Sequence, residues 1–151
     1  MKFNFKTLPY FIAEAGVNHE NNMNLAEKII KQASIGGASA VKFQTYKAEL
    51  LASKKSPAYW DITKVKIRSQ YKLFKKFDKF NVNNYVKLKK ICDYYKVDFL
   101  STPFDNQSAE FLNKLVKYFK LASADITNRP LIDKILSFKK PIIFSTGASN
   151  M

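Results

Sequence analysis

Ala40-Val41-Lys42-Phe43-Gln44 is a short apolar run that ends in polar groups, and four other runs repeat its plan. They are Phe11-Ile12-Ala13-Glu14, Phe99-Leu100-Ser101-Thr102, Tyr118-Phe119-Lys120-Leu121-Ala122-Ser123 and Pro141-Ile142-Ile143-Phe144-Ser145. Near-continuous apolar runs of this length suit parallel strands covered on both faces. Outward from each run lies helical periodicity. Leu25, Ile29, Ile30 and Ala33 share one face, and Gly36-Gly37 stops that helix. Tyr85, Leu88, Ile91, Cys92 and Tyr95 make the next stripe. Asp105 can cap a helix with Ala109, Leu112, Leu115 and Val116 inside. Thr127 or Asn128 precedes Pro130 at the start of another, with Leu131, Ile135 and Phe138 on one side. Alternation of strand and helix predicts right-handed crossovers and a parallel α/β sheet.

Such sheets place their sites at the carboxyl edge. There the runs deliver Glu14, Lys42, Gln44, Thr102, Lys120, Ser123 and Ser145. A lysine inside an apolar strand is costly unless paired, so Lys42 and Lys120 point to a pocket for phosphate or carboxylate. A desolvated lysine also suits a Schiff base. Thr102, Ser123 and Ser145 add hydroxyl donors at the same level. Glu14 is placed to handle a proton or orient a hydroxyl, or to pair with Lys42 across adjacent strands. His19, the one histidine, cannot build a tetrahedral zinc site alone.

The segment 46–80 is far longer than an ordinary strand-to-helix loop. It leaves the end of the second strand and so hangs over the proposed mouth, as a lid or as a packed excursion. It contains Tyr59 and Trp60, and its pattern predicts a short helix from Thr63 to Phe77.

The 151 residues make one domain by length, with 46% hydrophobic and 25% charged residues, as in a soluble globular protein. The formal charge of +14 raises nucleic-acid binding as an alternative. The basic residues are scattered and nearly all Lys, with Arg only at Arg68 and Arg129, which speaks for solvated faces instead. A single cysteine, Cys92 on an apolar helix face, excludes an internal disulfide and reads as an inert thiol. No run reaches membrane-spanning length and the N-terminal stretch lacks leader features, so a cytoplasmic location is expected.

Phe11-Ile-Ala-Glu-Ala-Gly-Val-Asn-His-Glu20, Val41-Lys-Phe-Gln-Thr45, Ser101-Thr-Pro-Phe104, Phe119-Lys-Leu-Ala-Ser-Ala-Asp-Ile-Thr-Asn128 and Lys140-Pro-Ile-Ile-Phe-Ser-Thr-Gly147 together resemble the N-terminal part of the sialic acid synthase family. That family comprises N-acetylneuraminate, legionaminic and pseudaminic acid synthases. The resemblance implies that residues 1–151 form about five strands of a (β/α)8 TIM barrel, with a C-terminal antifreeze-like domain absent. It implies condensation of phosphoenolpyruvate with an N-acetylated aminosugar such as N-acetylmannosamine. It also implies a divalent metal, manganese or magnesium, held by histidines of later strands, and a homodimeric full-length protein. Residue by residue, it makes Glu14 the acidic active-site residue. Lys42, Thr102, Lys120, Ser123 and Ser145 become the phosphoenolpyruvate contacts, with Gln44 and Asp125 on the sugar side. Ala124 stands where many members have Gly, and Asp125 where many have Glu. The chain alone is expected to be inactive. The alternatives are a non-catalytic basic binding module and a Schiff-base aldolase.

Overall fold

The computed structural model describes residues 9–147 and 149–150; the N-terminal stretch weighed above lies, apart from Pro9, outside them. Five strands run through the described residues: β1 (Ile12–Gly16), β2 (Ala40–Thr45), β3 (Asp98–Pro103), β4 (Phe119–Leu121) and β5 (Ile142–Phe144). The helices are α1 (Met23–Ile35), α2 (Ala48–Leu51), α3 (Gln70–Phe77), α4 (Val82–Tyr94), α5 (Asn106–Leu112) and α6 (Arg129–Ser137). All strand pairs are parallel, and each apolar run quoted above became a strand.

The pleat divides each strand between two environments. On β2, Val41 and Phe43 are fully buried in the main core with Ile30, Leu88 and Cys92 of the covering helices. Burying a side chain such as Phe43 contributes about 1.5–3 kcal/mol, so this face fixes the register. The alternate residues Ala40, Lys42 and Gln44 stand beside Asp98, Leu100 and Thr102 of β3. Their lower end joins a second apolar cluster of Ala40, Leu100 and Tyr118, with Tyr10, Ile12 and Ile143 packed against it. That cluster is the floor of the half-barrel; the polar groups lie above it.

The expected parallel strands are hydrogen-bonded in two ladders. β1, β2 and β3 form one ladder, while β4 and β5 form another. Side chains bridge the seam: Lys117 Nζ donates to Asp98 Oδ1 at 2.5 Å, and the Tyr10 hydroxyl, which donates to Asp98 Oδ2 at 2.7 Å, also meets the Tyr118 hydroxyl. β4 has only three residues, too short to lay a full ladder along β3.

The helices obey the sequence with local corrections. On α1 the expected Ile30 is buried and Ile29 and Ala33 pack against the core, whereas Leu25 is 37% exposed and Ala26 is buried in its place. Its terminator divides the work: Gly36 is the C-cap, and Gly37 carries the left-handed φ of +81°. Asn128, not Thr127, caps α6, accepting from the Leu131 amide. Asp105 caps α5, accepting from the Ser108 amide at 2.7 Å. α5 ends at Leu112, but Leu115 and Val116 still pack into the core from the following turn. Cys92 is buried, and desolvation pushes its thiol up to about 12, as an inert thiol requires.

Candidate active site

Segment 46–80 is built rather than loose. α2 and α3 occupy its two ends, and α3 begins at Gln70, not at the expected Thr63. The intervening residues double back on themselves, which is why no helix forms there. Pro57 bridges Ser69 antiparallel, the Ala58 amide donates to Arg68 O at 3.1 Å, and Gln70 Nε2 donates to Pro57 O at 2.8 Å. Trp60 Nε1 donates to Ile67 O at 3.0 Å, closing the hairpin from inside. Asp61 makes an Asx turn with the Thr63 amide at 2.9 Å, using the residue expected to start a helix.

The base of this excursion is fastened to the barrel. Lys47 Nζ donates to Asp78 O at 3.0 Å, and buried Asp78 Oδ2 accepts from the Ala48 amide at 3.0 Å. From the β1 side, Asn21 Nδ2 donates to Lys76 O at 2.9 Å while Asn21 Oδ1 accepts from the Lys79 amide at 3.1 Å. His19 stacks on Phe80 with ring centroids 4.4 Å apart. Its Nδ1 accepts from the Asn21 amide at 3.2 Å, and burial lowers its pKa to about 4. The histidine is thus a buried ring packed against Phe80, and its Nε2 has no partner among the described residues.

Above the floor, the strand ends bring two groups of the sequence-predicted residues together. In the first, Glu14 and Lys42, partners across β1 and β2, form an ion pair in which the lysine is the more buried, 14% against 50% side-chain exposure. A register shift follows at once between Glu14 and Gly16, and a bulge there re-aims the chain as it leaves the strand. Gly16 has φ +53°, and a Cβ on it would sit 3.4 Å from Glu14 Oε1. Lys120 faces Ile143 across the β4–β5 ladder; its Nζ donates to Leu121 O at 2.7 Å and to Ser145 Oγ at 2.5 Å. Desolvation, then the nearby Lys42 charge, lowers the Lys120 pKa, with Glu14 pulling the other way. Ser123 opens a 3-10 turn after β4, and a Cβ on Gly147 would stand 3.4 Å from its Oγ. Glu14, Lys42, Lys120 and Ser145 thus make one charged group, with Ser123 beside the chain just past Ser145.

The second group lies under the hairpin. A cleft of about 470 Å³ is lined by Gln44 and Asp125 together with Tyr46, Tyr59, Gln70 and Phe74. Asp125 is buried, its Oδ1 accepting from Asn128 Nδ2 at 2.9 Å while Oδ2 has no partner among the described residues. Thr102, also buried, is the register partner of Gln44 and so ties the cleft to the strand ends. The sequence reading missed Tyr46, Gln70 and Phe74, because aromatic and amide residues in a long connection carry no spacing signal of their own. Tyr59 was visible only as part of that segment. No group of three or more His, Cys, Asp or Glu among the described residues is placed to hold a metal ion. Nor is any helix of the described residues long and apolar enough to cross a membrane.

This arrangement can hold an anion on two lysines and several hydroxyls beside a carboxylate, with a roomier polar and aromatic cleft alongside. The chain is 42% identical over 150 residues to N,N'-diacetyllegionaminic acid synthase of Campylobacter jejuni, covering 97% of this chain and 44% of that protein. It is 34% identical to N-acetylneuraminate-9-phosphate synthase of Drosophila melanogaster, over 94% of this chain and 38% of that one. Among solved structures, the sialic acid synthetase of Leptospira borgpetersenii superposes with a TM-score of 0.76 at 27% identity, covering 93% of this chain and 45% of its own. The chain spans less than half the length of these relatives and corresponds to the N-terminal part of their TIM-barrel fold. The NeuB family model matches residues 29–151, and on that match the chain belongs to the NeuB family.

Proposed function

We propose that the protein carrying this chain condenses phosphoenolpyruvate with an N-acetylated aminosugar aldehyde to give a sialic acid-type nonulosonate. The observation that carries the reading is Lys120 beside Lys42: two ammonium groups near each other, only one of them neutralised by a carboxylate among the described residues. Such a pair is stable when an anion arrives between its members. Lys42, Lys120, Thr102, Ser123 and Ser145 hold the phosphate and carboxylate of phosphoenolpyruvate. The enol carbon attacks the sugar aldehyde, forming the new carbon–carbon bond. Water adds at the adjacent cationic carbon and inorganic phosphate leaves. Fixed positive groups around that carbon stabilise the developing charge, the electrostatic contribution usually largest in such sites. Glu14 moves a proton or orients the reacting hydroxyl, while Gln44 and Asp125 hold the sugar.

The family resemblance implies a divalent metal as well, manganese or magnesium, which would polarise the aldehyde. The described residues do not form a set fit to hold one, so this chain contributes binding, orientation and proton transfer through its own side chains. A homodimer is the assembly proposed for the whole protein.

The test is to supply phosphoenolpyruvate and N-acetylmannosamine, with manganese or magnesium, to the whole polypeptide and to follow inorganic phosphate and the nonulosonate together. Stoichiometric appearance of both supports the reading. Salt-sensitive nucleic-acid binding without turnover would replace it with a basic binding module. One observation favours a second reading: the lowered pKa of Lys120 is what a Schiff-base lysine needs. Borohydride trapping of substrate on Lys120 would decide for that aldolase chemistry.

A further inference from the structure

We propose that Tyr59 is a substrate-contacting residue, the ring on which the sugar aldehyde lies, and that the cleft it borders favours the unphosphorylated sugar over its phosphate ester. The inference rests on the condensation reading and names the substrate class of the same site.

Tyr59 is 76% exposed, yet it lines the cleft that also holds Gln44 and Asp125. A singly exposed aromatic ring means little by itself. This ring, however, is held in place. It packs edge-on against Trp60 with centroids 5.1 Å apart, and Trp60 is pinned through Nε1 to the returning strand of the hairpin. The residue before it, Ala58, donates its amide to Arg68 O, so Tyr59 sits between a backbone bond on one side and the indole bond of Trp60 on the other. A ring fixed at a cleft edge loses little conformational freedom on contact, which is the condition for a stacking platform.

The cleft opposite matches an amide-bearing sugar. Tyr46 and Phe74, with ring centroids 5.6 Å apart, give it an apolar wall for the C–H face of a pyranose or its open chain. Polar specificity comes from the Gln44 and Gln70 amides and from Asp125, whose buried Oδ2 lacks a partner among the described residues and can accept a sugar hydroxyl. Among the described residues no lysine or arginine lines this cleft, and its one charged group is a carboxylate. A phosphorylated sugar placed here would meet the Asp125 carboxylate and no counter-charge among the described lining residues, whereas a neutral sugar meets donors, acceptors and rings.

The test uses the whole polypeptide with Tyr59→Ala and Tyr59→Phe. Binding of N-acetylmannosamine and of its 6-phosphate is read by saturation-transfer NMR, and phosphoenolpyruvate affinity by calorimetry on the same samples. The expected result is an about tenfold loss of N-acetylmannosamine affinity in Tyr59→Ala, near-parental affinity in Tyr59→Phe and unchanged phosphoenolpyruvate binding in both. The parent should bind the neutral sugar about tenfold more tightly than its 6-phosphate, the scale of one unfavourable charge contact. Parental sugar affinity in Tyr59→Ala overturns the role of Tyr59 and leaves the condensation reading standing. Equal affinity for the two sugars overturns the substrate class. A parent that binds neither phosphoenolpyruvate nor sugar sinks the condensation reading itself, and this inference with it.

Discussion

Replacing Lys120 with Met removes the strand-end ammonium that no carboxylate among the described residues neutralises. An ammonium has three donors, and Lys120 already spends two, on Leu121 O and Ser145 Oγ. One N–H remains for an arriving anion. A single charge-assisted hydrogen bond contributes about 1.5–3 kcal/mol, so phosphoenolpyruvate binding should weaken roughly ten- to hundredfold. Lys42→Met should weaken it at least as much, because it also leaves Glu14 as a bare carboxylate beside the anion. Combining Lys42→Met with Glu14→Gln should then recover part of the loss, a coupling that a double-mutant cycle measures directly. The pH dependence has a definite sign. Anion binding needs protonated Lys120, and its pKa lies below the ordinary lysine value of 10.5, so affinity should fall as pH rises through that lowered value. Lys120→Met should lack this fall. Calorimetric titration of phosphoenolpyruvate into the whole polypeptide and its variants, across pH, is the assay. Unchanged affinity in both single lysine variants would refute the anion site.

Glu14→Gln should lower turnover far more than it weakens phosphoenolpyruvate binding, because the carboxylate serves the reacting sugar and its removal frees Lys42; equal turnover in variant and parent would leave Glu14 as a structural partner of Lys42. His19, with a folded pKa of about 4 against an ordinary value of 6.5, binds fewer protons folded than unfolded between those values. Its contribution is therefore fully present above about 6.5 and is lost as pH falls toward 4, so urea midpoints at pH 7 and pH 5 should differ more in the parent than in His19→Phe. The 151-residue polypeptide made alone should self-associate and show no synthase turnover, since β1 and β5 each pair on one side only among the described residues. Sedimentation and a coupled phosphate assay check this, and a monomeric, sharply melting, active preparation refutes it.

The strands were legible because their pattern is physical: a run buried on both sides must be apolar throughout, so Lys42 and Lys120 stood out against Val41, Phe43, Phe119 and Leu121. The Glu14–Lys42 pairing was legible too, since neighbouring parallel strands put equivalent positions side by side. What the residues alone did not reveal was how the segment 46–80 folds. Its hairpin depends on backbone bonds between Ser56–Ala58 and Arg68–Gln70 and on one indole N–H, none of which has a periodicity. The same holds for α1, where Leu25 and Ala26 both fit a helical stripe and packing against α4 decided between them. The seam between β3 and β4 was equally hidden, because Asp98, Tyr10 and Lys117 meet there from distant parts of the chain.

The fastenings at Asn21, Lys47 and Asp78 have a consequence for how such a site can diversify. They hold residues 47–48 and 76–80 to the barrel, while the hairpin between them closes on its own bonds. Residues 53–69 are in effect a cassette: their length and side chains can be rewritten without shifting the strands that carry Lys42 and Lys120. Grafting the corresponding stretch from a relative with a different sugar preference should therefore transfer selectivity while leaving phosphoenolpyruvate affinity and the melting temperature of the host almost unmoved.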